Sequence, residues 1–200
     1  MATTSARRRL DPLVRRDLIL DVAARTVAEE GVSAVSMERL GRDAGISKAL
    51  VYNYFPNRNS LLSELLVREY RVFQAEARQA KEGVEDFPTL VRVTTRAYLR
   101  HVAERGVLIQ RLMNEPAVSS AIRSVDEEGR QLTVAFFASE IAKHHGLSLT
   151  VAAMAADLLM GLTGAAGDYL CRTSADLQEV EDVVVAMIMA ALARLPVTGG

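Results

Sequence analysis

Two hundred residues, half of them hydrophobic by type, are enough to bury one large or two small cores. The net charge of −1 hides an asymmetry: residues 1–58 carry ten Lys/Arg against seven Asp/Glu, a net of +3, and residues 59–200 carry fourteen against eighteen, a net of −4. The single cysteine, Cys171, excludes an intrachain disulfide and fits a reducing cytoplasm, and MATTSARRRLDP has no apolar segment behind its basic residues, so it does not read as a secretory leader.

Five arginines (Arg7, Arg8, Arg9, Arg15 and Arg16) and one acid, Asp11, fall in the first sixteen residues. Residues 1–14 are expected to form a basic arm. Two readings stay open for it, a solvated tail or an arm that tracks phosphates or enters a minor groove. A first helix is expected over 15–31, because Leu18, Val22, Ala23, Thr26 and Val27 recur at one-faced helical spacing. Gly31 sits where a C-terminal glycine belongs. Ser36 offers its hydroxyl as the N-cap of a second helix, Glu38 suits the dipole of its first turn, and Met37, Leu40 and Ala44 form its buried stripe. Gly45 permits a tight turn and Ser47 offers the next cap. Val51 and Phe55, four apart, anchor a third helix, which Pro56 stops.

With Val51 and Phe55 inward, Lys48, Ala49, Tyr52 and Asn53 occupy the opposite side of that third helix, with Leu50 and Tyr54 at the edges. Two short helices about a glycine turn make a helix-turn-helix over about 37–56, and this face suits a major groove. Lysine and tyrosine hydroxyls reach phosphates, asparagine pairs with adenine, and alanine or leucine touches a thymine methyl. The competing reading is a solvated helix face.

The stretch ILDVAARTVAEEGVSAVSMERLGRDAGIS followed by KALVYNYFPNRNSLLSELL, and VYNYFPNRNSLL above all, resembles the DNA-binding domain of the TetR family of bacterial transcriptional regulators. The resemblance covers about a third of the chain. It implies a three-helix domain, taken as 15–75, with Ser36, Lys48, Tyr52, Tyr54 and Arg58 as phosphate contacts and Ala49, Leu50 and Asn53 as candidates for base edges. The chain departs from the pattern at Glu38, where some members carry a base-reading arginine.

Beyond residue 57 the pattern stays helical. Asn57 caps a long fourth helix with the stripe Leu62, Leu66, Tyr70, Phe73 and Ala77, expected to run to about residue 81. GVEDFP is a break, and Pro88 suits the first turn of a fifth helix. A short helix is expected over about 107–114, another over about 118–145 with a break near Ser124, a third from its cap Ser148 to about 172, and a last one from Asp176 to before Pro196. The final two are apolar nearly all round. Their charge-free runs are only eleven, ten and eleven residues (146–156, 158–167 and 183–193), against about 20 needed to span a bilayer, so no membrane partner is expected. A helix apolar all round is central or covered by a partner. Ala156, Gly161, Gly164, Ala165, Val184, Met187, Ile188 and Ala191 are therefore assigned to a homodimer interface, and the family resemblance implies the same location.

No catalytic or metal-binding constellation emerges. His101 lies on an apolar stripe, His144 and His145 close a helix, and no Cys/His spacing suits zinc. The glycine-rich run 161–167 lacks the strand before it and the Lys-Ser/Thr pair after it that a phosphate loop needs. No cofactor is expected.

The chain is read as an all-α protein with an N-terminal helix-turn-helix domain and a helical effector-binding and dimerisation domain over 76–200. Its expected activity is that of a cytoplasmic, ligand-responsive repressor, a homodimer on a palindromic double-stranded operator. The resemblance adds a small, apolar effector, for which Tyr98, His101, Met113, Phe137 and Tyr169 are candidate pocket residues, with Arg111 for an anionic group. A helical protein-interaction module without DNA readout and a small-molecule enzyme stay open as alternatives.

Overall fold

The computed structural model describes residues 11–195, apart from the side chains of residues 124 and 125. Arg7, Arg8 and Arg9 of the basic arm, and Pro196 beyond the last helix, lie outside the described residues. Eight α-helices and one 3-10 turn make up the regular structure there, with no strand among the described residues. They are α1 (Pro12–Glu30), the 3-10 turn (Val32–Ala34), α2 (Met37–Asp43), α3 (Lys48–Tyr54), α4 (Arg58–Lys81), α5 (Phe87–Met113), α6 (Pro116–His145), α7 (Leu149–Arg172) and α8 (Leu177–Ala193).

Most boundaries follow from local capping. Ser36, Ser47, Asn57, Asp86, Ser148 and Asp176 each accept a backbone N–H of the first turn that follows. Gly31 and Gly146 end α1 and α6 at positive φ. Three expectations need correction. First, α1 starts at Pro12, because Asp11 accepts from Leu13 N–H and proline suits the first helical position, so residues 12–14 belong to the helix and not to an arm. Second, no break separates a short helix over 107–114: α5 runs through Gly106, whose missing β-carbon makes room for Cys171 Sγ of α7. Third, α6 is continuous past Ser124 and through Gly129, against which the Tyr70 hydroxyl and Gln74 of α4 are pressed. Both glycines serve close helix crossings, not chain breaks.

Two hydrophobic cores result. The first joins Ile19, Leu20, Val27, Leu40, Val51, Phe55, Leu61, Leu62, Leu65 and Leu66 with Leu108 and Leu112 of α5 and Val118 and Ile122 of α6. The second holds Phe87, Leu90, Val91 and Leu99 of α5 with Ile141 of α6, Ala152 and Ala156 of α7, and Val184, Ile188 and Leu192 of α8. A division at residues 75 and 76 therefore cuts through α4, and the N-terminal core is completed by side chains from α5 and α6. The long helices α5 and α6 are rods shared by both cores. Arg111 strengthens that junction by donating from Nη1 to the carbonyls of Val27 (2.6 Å) and Ala28 (2.9 Å), near the C-terminal end of α1.

The second core also contains a buried acid. Glu181 of α8 is fully buried and takes hydrogen bonds from Arg92 (3.0 Å) and from Arg96 (2.7 and 2.9 Å) of α5. A carboxylate removed from water needs this many donors to be tolerated. By length and composition alone α7 is apolar enough to cross a membrane. In the fold it packs against α5, α6 and α8, and its Asp157 pairs with Arg130 of α6.

Candidate nucleic-acid interface

The turn between α2 and α3 is built by two hydrogen bonds. Ile46 N–H donates to the Gly41 carbonyl at 2.8 Å and Gly45 N–H to that of Arg42 at 3.1 Å, with Gly45 at φ +68°. This is the paired 6→1 and 5→2 closure of a left-handed helix end. Gly41 has a second role that its sequence position does not advertise. A β-carbon there would stand 3.0 Å from the Ile46 oxygen, 3.2 Å from Lys48 N and 3.3 Å from Ser47 C. The start of α3 thus lies directly on the backbone of α2, which fixes the angle at which α3 is presented.

Val51 and Phe55 are buried in the first core, and Lys48, Ala49, Tyr52 and Asn53 are exposed on the side away from it. Leu50 and Tyr54 are half-buried at the edges. The Tyr54 hydroxyl accepts from Arg15 Nη1 at 3.1 Å, linking α3 to α1. Ser36 is exposed, its Oγ accepting from Arg39 N–H at 3.2 Å, which leaves the hydroxyl hydrogen to donate outward. Lys48 Nζ lies 3.6 Å from Glu38 Oε2 of α2, so the two helices share an ion pair on the exposed surface. Arg58 is placed differently from the expectation. Its Nε and Nη2 donate to the carbonyls of Val35 (3.0 Å) and Val32 (2.6 Å), so it fastens the start of α4 to the segment before α2 and is not a free cation on the face.

Arg39 was not anticipated as a structural residue. Its guanidinium grips both Glu30 oxygens, at 2.7 Å for Nη1, and reaches Asp43 at 3.2 Å, clamping the end of α1 to α2. The hydrogen bonds from Arg39 hold the Glu30 carboxyl below its ordinary range, and the two carboxylates raise the arginine further. Glu30, Arg39 and Asp43 lie within fourteen residues, but only the tertiary placement of α1 against α2 brings the first two together.

Of the residues assigned to an effector pocket, Tyr98 and Phe137 pack against the second core. Tyr98 and His101 of α5 meet through Phe73 of α4, at ring-centroid distances of 5.9 and 5.0 Å, and His101 Nδ1 lies 3.2 Å from Glu76 Oε2. Burial raises the Tyr98 hydroxyl above its usual range. Phe137 packs edge-on against Phe136, Met113 and Tyr169 are exposed, and Arg111 is bonded to α1 as described. The surface does hold a groove of about 280 Å³ between α1, α4 and α5, lined by Asp21, Arg25, Arg68, Arg105 and Leu108 among others. A second, of about 350 Å³, lies between α5 and α8 and includes Arg92, Asp182 and Met189. Neither contains a residue of the expected pocket.

The dimer candidates divide by face. Ala156, Val184 and Ile188 belong to the chain's own core, whereas Gly161, Ala165, Met187 and Ala191 are exposed and Gly164 is half-buried over Tyr98. The exposed apolar stripe comprises Met154, Leu158, Gly161, Ala165 and Tyr169 along α7, with Val183 and Met187 on α8. Leu158 is 69% exposed and Val183 59%.

Known proteins match this arrangement. The family model described as "Bacterial regulatory proteins, tetR family" matches residues 19–65, which run from α1 into α4. The HTH-type transcriptional regulator BetI of Rhizobium meliloti is 34% identical over 88 residues, 42% of this chain and 43% of that protein. An HTH-type transcriptional regulator of Staphylococcus aureus is 24% identical over 101 residues, 50% of this chain and 55% of its own. The chain thus spans about half the length of the curated relatives it matches. Solved structures extend the likeness to the whole fold: a TetR-like transcriptional regulator from Rhodococcus sp. RHA1 gives a TM-score of 0.73 at 20% identity, covering 94% of this chain and 100% of that one. The fatty acid degradation regulator FadR of Bacillus halodurans gives 0.70 at 16% identity, covering 90% and 96%.

Proposed function

We propose that the chain is a member of the TetR family of bacterial transcriptional regulators and acts as a ligand-responsive repressor, in the cytoplasm, as a homodimer on a palindromic operator. The observation that carries the DNA-binding role is the exposed face of α3. Lys48, Ala49, Tyr52 and Asn53 stand together on a helix held against α2 by a closed turn, as a major-groove reader requires. Lys48, Tyr52 and Ser36 are the phosphate contacts, and Asn53, Ala49 and Leu50 face base edges. Tyr54 braces α3 through Arg15, and Arg58 braces it indirectly by holding the segment before α2.

Pairing of two chains is supported by the apolar stripe on α7 and α8. Small residues at Gly161 and Ala165 let a second helix approach, and Leu158, Val183 and Met187 supply apolar area to bury. The effector is a small, apolar molecule taken up by the second domain, a reading supported by the likeness to that family and by that domain's aliphatic core. Selection of bound sequences from a random DNA pool tests the proposal. A two-fold symmetric motif with half-sites centred about one helical turn apart, or a multiple of it, is expected. A pool that yields no enriched sequence overturns it.

A further inference from the structure

We propose that the groove between α1, α4 and α5 is a second ligand site, one that takes a small carboxylate with an apolar body. It measures about 280 Å³, room for a small molecule, and its buried lining residues, Ala24 and Leu108, belong to the N-terminal core and not to the core of the second domain. One face of α1 supplies Ala24, Arg25 and Ala28, and one face of α5 supplies Arg105, Val107 and Leu108. Val107 is 54% exposed, so part of this lining is apolar surface that the fold leaves in water and that an apolar ligand body would cover. Arg111, about one turn beyond Leu108, ties α5 to the carbonyls of Val27 and Ala28, so the two walls are fixed before anything binds.

The arginines decide the polar end of the ligand. Behind Arg68 and Arg105 lies Glu69 of α4, only 2% exposed. Its Oε1 accepts from Arg68 Nη2 at 3.3 Å, while its Oε2 stands 3.6 Å from Arg105 Nη1 and accepts no hydrogen bond among the described residues. A buried carboxylate so thinly bonded needs its cations close, and it holds both guanidiniums at the groove wall. Arg68 is further committed to Asp21, at 2.8 Å. The other two arginines are not. Among the described residues Arg25 makes no hydrogen bond or ion pair, and Arg105 has only the long contact with Glu69. Two guanidiniums from two helices therefore line one groove with donors unused, against a single unpaired acid, Glu104. A carboxylate between them accepts from both planar forks. A cationic ligand would meet two positive groups for one negative.

Benzoate is the probe, titrated by calorimetry into the wild-type chain, with benzamide as its uncharged counterpart and inorganic phosphate as an anion without an apolar body. Saturable binding of benzoate is expected, with benzamide and phosphate each at least about tenfold weaker. Arg25→Gln and Arg105→Gln should each weaken benzoate about tenfold, and Glu104→Gln, which removes the unpaired acid, should tighten it. Arg25 has no partner among the described residues to lose, so Arg25→Gln should keep the fold, which circular dichroism checks. No saturable binding, or a benzoate affinity unchanged in Arg25→Gln, overturns the proposal; in the second case the molecule binds elsewhere. Phosphate held as tightly as benzoate overturns it too, because the groove would then read charge alone. None of these readouts involves DNA, so a failure here leaves the DNA-binding role standing.

Discussion

At the scale of single residues, Gly41 is where the smallest change should travel furthest. Alanine would gain about 1 kcal/mol of helix propensity there. Its methyl, however, meets three backbone atoms of the turn at 3.0–3.3 Å, and backbone cannot swing aside as a side chain can. Crowding of this kind costs about 1–3 kcal/mol. Gly41→Ala should lower the thermal midpoint and, by displacing α3, weaken DNA binding; a midpoint at or above that of the wild type would show that the turn yields. On the reading face, Lys48→Ala should weaken binding to all sequences and flatten the salt slope by about one unit. Asn53→Ala should instead relax preference at a single position, costing about 1–3 kcal/mol. Competition assays with matched and mismatched duplexes separate the two. The face itself was legible because Val51 and Phe55, one turn apart, fix which side of α3 is buried. The role of Arg58 was not, since its partners are backbone carbonyls 23 and 26 residues earlier and carry no side-chain signature.

At the scale of elements, a helix start and two helix–helix pairings are held by carboxylates that titrate. Asp86 is held below its ordinary range by its capping bonds to Thr89 at the start of α5, Glu30 by Arg39, and Asp182 of α8 by Arg92 of α5. Groups whose folded pKa is depressed contribute stability above their unfolded value of about 4 and lose it as pH falls through the folded one. Urea midpoints should therefore hold steady through these groups near neutrality and drop below about pH 4; a midpoint that rises on acidification would contradict the assignment. The helix starts could be read from sequence because capping is local. The continuity of α5 through Gly106 and of α6 through Gly129 could not, because whether a mid-helix glycine ends a helix or admits a neighbour depends on what crosses it. That continuity also changes how signals can travel. Besides α4, both α5 and α6 enter the N-terminal core, through Leu108, Leu112, Val118 and Ile122. Leu112 is fully buried, so Leu112→Ala should destabilise by about 2–5 kcal/mol and should disturb both the helix-turn-helix and the second domain.

At the scale of the whole molecule, the proposed pairing and the proposed reading are one property, because two recognition helices must sit about 34 Å apart to enter successive major grooves. An all-round apolar helix gives no phase from sequence, which is why Val184 and Ile188 fell among the dimer candidates although they face the chain's own core. The fold separates two substitutions that looked equivalent. Ile188→Asp buries an unpaired charge and should unfold the chain, whereas Met187, half exposed, should tolerate aspartate in the monomer and lose the pair. Sedimentation and circular dichroism distinguish these outcomes. An effector should couple to DNA by about 1–3 kcal/mol and reciprocally, so operator must weaken effector binding by the factor by which effector weakens operator binding. The most direct measurement titrates the wild-type chain into its selected duplex at stoichiometric concentration and repeats the affinity between about 50 and 200 mM salt. Two chains per site and a steep loss of affinity with salt are expected. One chain per site, bound with an affinity that salt leaves unchanged, would contradict a dimeric reader of DNA.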